Sequence, residues 1–242
     1  MKALLIKELN SFFSSPIAYL VIGVYLVFNG LFLWVFPSEF NILHAGFADL
    51  NAYFFLAPWI FLFLIPALTM RSFSEEYNNG TIELLKTKPL SNWQIVLGKF
   101  LATLVLVIFS ILPTLIYSYS VYQLGNPKGN IEFGTTTGSF IGLLFLASTY
   151  CAIGVFASTL SKNQIVSFIV AVCLCFFLFY GFEFIGNYQF FGEADFFIQQ
   201  LGMKSHFQSI SKGVLDTRDL IYFISVSLLF LALTKFKISD ER

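Results

Sequence analysis

Charged side chains are scarce in this sequence. Only 12% of the 242 residues are Asp, Glu, Lys or Arg, whereas 57% are hydrophobic, and the mean hydropathy is +0.78. A soluble domain usually carries about 25% charged residues. The composition therefore excludes an ordinary water-soluble globular protein and indicates a chain that lies mainly in lipid. The formal net charge is zero, which gives no indication of a nucleic-acid partner.

Cysteine and histidine are also rare. The three cysteines, Cys151, Cys173 and Cys175, lie inside apolar runs without CxxC spacing, so we interpret them as packing residues rather than metal or redox groups. His44 and His206 are the two histidines; they fall in different loops and lack the spacing of a metal site. No G-x-x-x-x-G-K-[ST] motif occurs. The chain is therefore not expected to bind ATP in the P-loop manner or to hold a cofactor of its own.

Long apolar runs are abundant instead. A helix needs about 20 predominantly apolar residues to cross a bilayer, and six stretches come close to this length. We predict an all-α membrane protein with a single domain, residues 1–242, and six transmembrane helices. The first run is too long for a cleavable signal peptide and is interpreted as an uncleaved anchor. The predicted spans are approximately Ile17–Phe36, Ala52–Met70, Phe100–Tyr122, Ser139–Leu160, Ile165–Ile185 and Leu220–Lys235.

The basic residues predict the orientation of these spans. Lysine and arginine are enriched in cytoplasmic loops. With a cytoplasmic N-terminus, most of the 14 basic residues fall on the cytoplasmic side, and an even number of spans returns the C-terminus to that side. The basic residues on the cytoplasmic side are then Lys2, Lys7, Arg71, Lys86, Lys88, Lys99, Lys162, Lys235, Lys237 and Arg242. Those on the outer side are Lys128, Lys204, Lys212 and Arg218.

Local signals mark several helix ends. Ser15-Pro16 predicts the start of the first span, since proline is favoured in the first turn of a helix. Ser91 and Gln94 form a capping-box pattern before the third span. The segment Asp216–Asp219 is predicted to cap the sixth. Residues 1–15 predict a short helix in the inner membrane interface, whose apolar stripe consists of Leu5, Leu9, Phe12 and Phe13.

Few polar side chains lie inside the predicted spans, which argues against an intramembrane enzyme. Glu183 lies near the outer end of the fifth span, either as an interfacial acid close to water or as a group that gates or contacts a substrate. A mild polar stripe on the third span either bonds the backbone around Pro113 or lines a translocation path. This stripe consists of Ser110, Thr114, Ser118 and Ser120. The prolines that predict kinks inside spans are Pro58, Pro66 and Pro113.

One dense polar segment, RSFSEEYNNGTIELLKTKPL at residues 71–90, interrupts the apolar sequence on the predicted cytoplasmic side. Ser74 is predicted to cap a short helix with acids in its first turn, and Asn79-Gly80 to end it. Thr81 is predicted to cap a second short helix, IELLKTK, which Pro89 terminates. Two capped amphipathic turns in succession favour docking to a partner over a merely solvated loop.

This segment resembles the coupling loop of permease subunits of type-2 ABC exporters. The resemblance rests on Phe73, Glu76, Gly80, Thr81, Glu83, Leu84, Leu85, Pro89, Leu90 and Ser91. It implies that the segment seats in a groove of a separate cytoplasmic ATPase, which binds ATP and magnesium while this chain catalyses nothing itself. It further implies an inner-membrane location in a bacterium. The residues expected to couple to the ATPase are Phe73, Glu75, Glu76, Gly80, Thr81, Glu83, Leu84 and Leu85.

A second stretch, residues 201–234, resembles the last outer hairpin and final span of one branch of that family, which includes gliding-motility permeases of the GldF type. This implies a role in gliding motility, a second permease protomer (identical or a paralogue), and a membrane-anchored companion of the GldG type. Alternating apolar and polar residues over 190–213 predict two short amphipathic helices in the outer interface, with a loop lying on lipid as the alternative. The hairpin residues singled out are His206, Phe207, Gly213, Asp216, Arg218 and Asp219.

Two functions remain open from the sequence. The first is a permease half that forms a pathway along the first, second and fifth spans and is driven by a partner ATPase. The second is a membrane anchor or scaffold of a motility or secretion machine that moves no substrate; the scarcity of polar residues in the spans is compatible with it.

Overall fold

The computed structural model describes residues 1–83, 87, 89–187, 192 and 194–240, and its regular structure over these residues is helical throughout. The α-helices are α1 (Lys2–Ser14), α2 (Pro16–Gly30), α3 (Asn51–Thr69), α4 (Arg71–Asn78), α5 (Asn92–Ile111), α6 (Leu115–Leu124), α7 (Phe133–Ala157), α8 (Gln164–Phe176), α9 (Phe182–Asn187), α10 (Ala194–Gln200), α11 (Met203–Ser211) and α12 (Thr217–Asp240). π-helical turns at Leu31–Val35 and Phe177–Gly181 extend α2 and α8, and a 3-10 turn at Leu112–Thr114 joins α5 to α6.

Within the described ranges, six helical segments are long and apolar enough to cross a membrane, as predicted. They are Pro16–Val35, Asn51–Asn78, Asn92–Leu124, Phe133–Ala157, Gln164–Asn187 and Thr217–Asp240. The predicted bounds need correction, most clearly at the third helix, which begins at Asn92 rather than Phe100 because its capped first turns are amphipathic. The fourth ends at Ala157 rather than Leu160, because the chain leaves the helix in a turn at Ser158 and Thr159.

The helix starts predicted from Ser15-Pro16, Ser91 and Asp216 are confirmed. Ser15 precedes the first span with Pro16 in its first turn. The capping box is formed, since the Gln94 amide donates to Ser91 Oγ at 3.3 Å and the Ser91 amide donates to Gln94 Oε1 at 3.1 Å. Asp216 Oδ1 accepts the Arg218 amide at 2.9 Å and so caps α12. These contacts satisfy amide groups that the first turn of a helix leaves without intrahelical partners.

Hydroxyl groups of the third span bond its own backbone around the proline break. Ser110 donates to the Leu106 carbonyl and Ser120 to that of Ile116. Thr114 lies in the 3-10 turn beside Pro113 and donates to the Ile111 carbonyl at 2.7 Å. These contacts support the interpretation of the polar stripe as backbone bonding for three of its four residues. Ser118 Oγ is buried without a hydrogen-bond partner among the described residues. Pro58 and Pro66 lie inside α3, which remains helical across both.

A buried chain of hydroxyl groups joins the first three spans. Tyr25 and Tyr53 lie with their hydroxyl oxygens 2.8 Å apart, and Tyr53 Oη lies 2.7 Å from Thr114 Oγ1. Thr114 Oγ1 is within hydrogen-bond distance of the Ile111 carbonyl. Assigning its single proton to that carbonyl makes Thr114 the acceptor of Tyr53 and Tyr53 the acceptor of Tyr25. The chain therefore has one direction and ends on a carbonyl beside the Pro113 break.

Helix α7 is the centre of the bundle. It packs against α3, α5, α8, α11 and α12, and α3 approaches it closely at Gly154. A Cβ atom on Gly154 would lie 2.0 Å from Thr69 Oγ1, so glycine permits the two helices to approach each other there. Helices α2 and α8 lie at the periphery and leave most of their apolar surface uncovered.

Candidate functional site

Helix α4 continues from the second span with only a turn at Met70 between them. The prediction that Ser74 caps this helix is wrong. Residues 71–73 are already helical, so Ser74 lies in the second turn and its hydroxyl donates back to the Met70 carbonyl. The predicted end is confirmed: the helix stops at Asn78, the Asn79 amide donates to the Glu75 carbonyl at 2.9 Å, and Gly80 has φ +68°.

A buried lysine joins α4 to two other helices. Lys99 of α5 is 2% exposed, and its Nζ lies 3.0 Å from Glu76 Oε1 of α4 and 3.1 Å from Glu8 Oε1 of α1. The ammonium also lies 5.1 Å from the centre of the Phe73 ring. A buried charge is costly unless it is paired and hydrogen-bonded. The positions of the three helices are therefore coupled through these side chains. We name Glu8, Glu76 and Lys99 the Lys99 triad.

Packing holds α1 against α5 beside the triad. Leu4 of α1 is buried against Gly98, where an added Cβ would lie 2.9 Å from the leucine Cδ2. Phe12 and Phe13 also pack on the core, as part of the predicted apolar stripe. Leu4 lies outside that stripe, so the sequence pattern did not identify the most buried residue of the helix.

A polar cavity of about 440 Å³ opens between α1, α4 and the start of α2. On one side Arg71 donates to both carboxylate oxygens of Glu75, at 3.1 and 3.3 Å. The cavity thus places charged side chains of both signs beside the Lys99 triad. Among the described residues no group of three His, Cys, Asp or Glu side chains has metal-site geometry.

The predicted coupling residues separate into two sets. Phe73 is fully buried and Glu76 is turned inward to Lys99. Gly80, Thr81 and Glu83 lie on the surface. Glu75 lies between the two sets as the partner of Arg71.

In the segment after Gly80, Ile82 is buried. Leu84, Leu85 and most of the predicted second helix lie outside the described residues. Thr81 Oγ1 contacts the Glu76 carbonyl at 3.5 Å.

The predicted hairpin residues lie at the opposite end of the bundle, in α11, in the connection that follows it and at the start of α12. Phe207 is buried on Gly142 of α7, and His206 contacts Asp219 at 2.6 Å. Gly213 turns the chain with φ +85°, and a Cβ there would lie 3.0 Å from the Thr135 amide nitrogen. The structure brings all of these except the exposed Arg218 into one packed corner. The two short helices that the sequence predicted here are present as α10 and α11.

Two other predicted residues lie apart from these clusters. Glu183 forms an ion pair with Lys204 of α11 at 2.7 Å, which fastens α9 to α11. His44 is exposed in the loop between the first and second spans.

Comparison of the sequence with known protein families identifies the family of this chain. Residues 37–235 match the family described as ABC-2 family transporter protein, and this match covers well over half of the chain. The chain belongs to the ABC-2 transporter family. A comparison with curated proteins finds no match. This ABC-2 family protein is therefore a multi-pass membrane component of an ABC transporter, and membership implies a cytoplasmic ATPase as its partner.

The sequence did not identify two residues of the ABC-2 protein's α4 site, Glu8 and Lys99. The loop charges mark Lys99 only as a basic residue that indicates orientation. A signal was available, because Lys99 is followed by the apolar run FLATLVLV and lies about two turns inside the helix that Ser91 caps. A lysine at such a depth needs a partner. Which acids supply it depends on the packing of α1 against α5 and of α4 against α3 and α8.

Proposed function

We propose that this chain is the permease subunit of an ABC exporter, and that the ATPase docks on α4 and the turn that follows it. The single observation that carries the proposal is the Lys99 triad. A force applied to α4 reaches α1 and the third span through Lys99, since separating the helices would leave carboxylates and an ammonium buried without partners. Docking that differs between two ATPase states would then tilt the attached helices.

The exposed residues Gly80, Thr81 and Glu83 supply the docking surface in this proposal. Phe73 and Glu76 hold α4 to the rest of the bundle instead. The α4 end and both termini lie in the cytoplasm, and the membrane is the bacterial inner membrane. The excess of lysine and arginine at this end supports that orientation.

A second permease protomer, identical or a paralogue, completes the pathway along the first, second and fifth spans. The uncovered apolar surfaces of α2 and α8 support this arrangement. The resemblance of residues 73–91 and 201–234 to gliding-motility permeases supports a role in that machinery, with a companion of the GldG type.

A charge reversal on the docking surface tests the proposal. Glu83→Lys changes an exposed residue next to the turn at Gly80, and Glu132→Lys makes the same change on an exposed residue at the opposite end. Each tagged chain is purified from its native membrane in mild detergent. The amount recovered and the co-purified magnesium-dependent ATP hydrolysis are measured together.

We expect the Glu132→Lys chain to carry ATPase activity at the wild-type level and the Glu83→Lys chain to lose it, with equal recovery of the chain. ATPase activity retained by Glu83→Lys would place docking elsewhere, and disappearance of that chain from the membrane would make the residue structural. Addition of magnesium ATP to the wild-type complex should change hydrogen exchange in the first and fifth spans. If exchange there stays the same while ATP is hydrolysed, the chain is an anchor rather than a permease.

A further inference from the structure

His206 of α11 lies between two hydrogen-bond acceptors. Its Nδ1 is 2.6 Å from Asp219 Oδ1 in the first turn of α12, and its Nε2 is 2.7 Å from the carbonyl oxygen of Gln200 at the end of α10. A neutral imidazole has one N–H group and can donate to only one acceptor, whereas an imidazolium has two. The carboxylate and the carbonyl are therefore both satisfied only when the ring is protonated.

Together with neighbouring contacts, this histidine connects the turn between α10 and α11 with α12. The ring of Tyr222 in α12 stacks on the imidazole with centroids 3.9 Å apart, and its hydroxyl donates to the Leu201 carbonyl at 2.6 Å. His206 and Asp219 are 18% and 8% exposed at their side chains. The contacts of His206 and Tyr222 hold the turn between α10 and α11 against the start of α12. We name this set the outer clasp: His206, Asp219 and Tyr222 with the carbonyls of Gln200 and Leu201.

The other charged groups that the structure describes around the outer clasp have partners or lie in solvent. Lys204, on the same helix as His206, is paired with Glu183 of α9. On α12, Asp216 caps the helix and Arg218 is exposed. On α10, Asp195 is buried and also has an interaction partner.

Within the described part of the chain, only Asp219 forms an ion pair with His206. Carboxylate, lysine and arginine side chains ordinarily keep their charge between about pH 5 and 8, the range in which an imidazole changes its own. In this corner, the contacts at both ring nitrogens of His206 are hydrogen bonds only when the ring carries a second N–H group.

We propose that His206 is a proton-binding site that closes the outer clasp. Loss of the proton leaves one ring nitrogen without hydrogen, so that its lone pair faces the lone pairs of either Asp219 or the Gln200 carbonyl. The turn between α10 and α11 then separates from α12. Helix α11 itself stays in place, because Met203 and Ile210 remain fully buried. In the orientation proposed above, the proton comes from the outer side of the membrane; the clasp does not depend on what binds α4.

Hydrogen exchange of the full chain in lipid nanodiscs at about pH 5.5 and about pH 8 tests the proposal. Labelling times are scaled to correct for the pH dependence of the intrinsic amide exchange rate, so that an unprotected amide exchanges to the same extent at both pH values. The reporter is the fragment 194–202, in which the Leu201 and Gly202 amides bond the Ile198 and Gln199 carbonyls. Helix α7 reports on the fold as a whole. The matched control is His44→Gln, because His44 is the other histidine of the chain and is exposed.

We expect wild type and His44→Gln to exchange about tenfold faster in 194–202 at the higher pH, the effect of losing a hydrogen bond to a charged group. His206→Gln should exchange fast at both pH values. Equal wild-type exchange at both pH values, or a pH response that survives in His206→Gln, would overturn the proposal. If α7 exchanges faster in His206→Gln than in wild type, the substitution has disturbed the whole fold, and Asp219→Asn is used instead. With α7 still protected, Asp219→Asn should exchange fast at the lower pH, and slow exchange there would contradict the clasp.

Discussion

Lys99 Nζ lies 3.0 Å from Glu76 Oε1, and this ion pair connects the third span with the short helix that follows the second. The two residues are 23 positions apart in the sequence, and the lysine is 2% exposed. Because Glu76 points inward, the pair is available to transmit displacement of α4 rather than to contact a partner directly.

Removal of the Lys99 charge should destabilise the protein strongly. Lys99→Met leaves Glu8 and Glu76 without their shared cation, and breaking a buried pair from one side costs roughly 3–5 kcal/mol. The double variant Lys99→Met/Glu76→Gln should recover part of this loss, because one orphaned charge is also removed. Thermal unfolding in one detergent is measured for the wild type, for the single variants Lys99→Met and Glu76→Gln, and for the double variant, which together form a double-mutant cycle. Strictly additive effects of the two changes would show that the residues are not coupled.

Removal of the central hydroxyl of the tyrosine chain should also destabilise the protein. In Tyr53→Phe the Tyr25 hydroxyl loses its acceptor and Thr114 loses its donor, at a cost of about 1–3 kcal/mol for buried polar groups left unpaired. Tyr19→Phe is the control, since Tyr19 is an exposed residue of the first span. A midpoint of thermal unfolding that falls equally in both variants would contradict the inferred chain.

A methyl group at Gly154 should separate α7 from α3. The new Cβ would lie 2.0 Å from Thr69 Oγ1 and 2.8 Å from Thr69 Cβ, and overpacking of this kind costs about 1–3 kcal/mol. Gly134→Ala, where nothing lies within 4 Å, should leave the unfolding midpoint close to wild type. Thr69→Ala should partly rescue Gly154→Ala because it removes the nearest atom. A lack of rescue would mean that the clash with Thr69 is not the cause of the destabilisation.

Much of the fold was predictable from local sequence. The six spans follow from apolar runs. The starts at Asn92 and Thr217 follow from side chains that cap the next turn, and the start at Pro16 follows from the preference of proline for the first turn of a helix. The error at Ser74 has a related cause. A serine before two acids has the pattern of a cap, but the helical backbone already runs through residues 71–73, so the amides it would cap have partners.

The candidate site was predicted only in part. The polar segment after the second span is where the structure places α4, and Gly80 ends it with positive φ. The sequence could not separate inward from outward residues. Phe73 and Glu76 match the family pattern as well as Glu83 does, yet the first two are turned into the bundle. The rotation of α4 about its axis, set by its packing against α3 and α8 and by the Lys99 triad, decides this.

The sequence alone determined that this is a six-span helical membrane protein with a polar segment after its second span. Those properties depend on the transfer of consecutive side chains from water to lipid and on caps formed within one helical turn. The tertiary structure decided which charges meet. Glu8 and Lys99 are 91 positions apart, and His206 meets Asp219 only because α10, α11 and α12 fold into one corner. Pairing of buried polar groups depends on the rotation and neighbours of each helix, which no local pattern specifies.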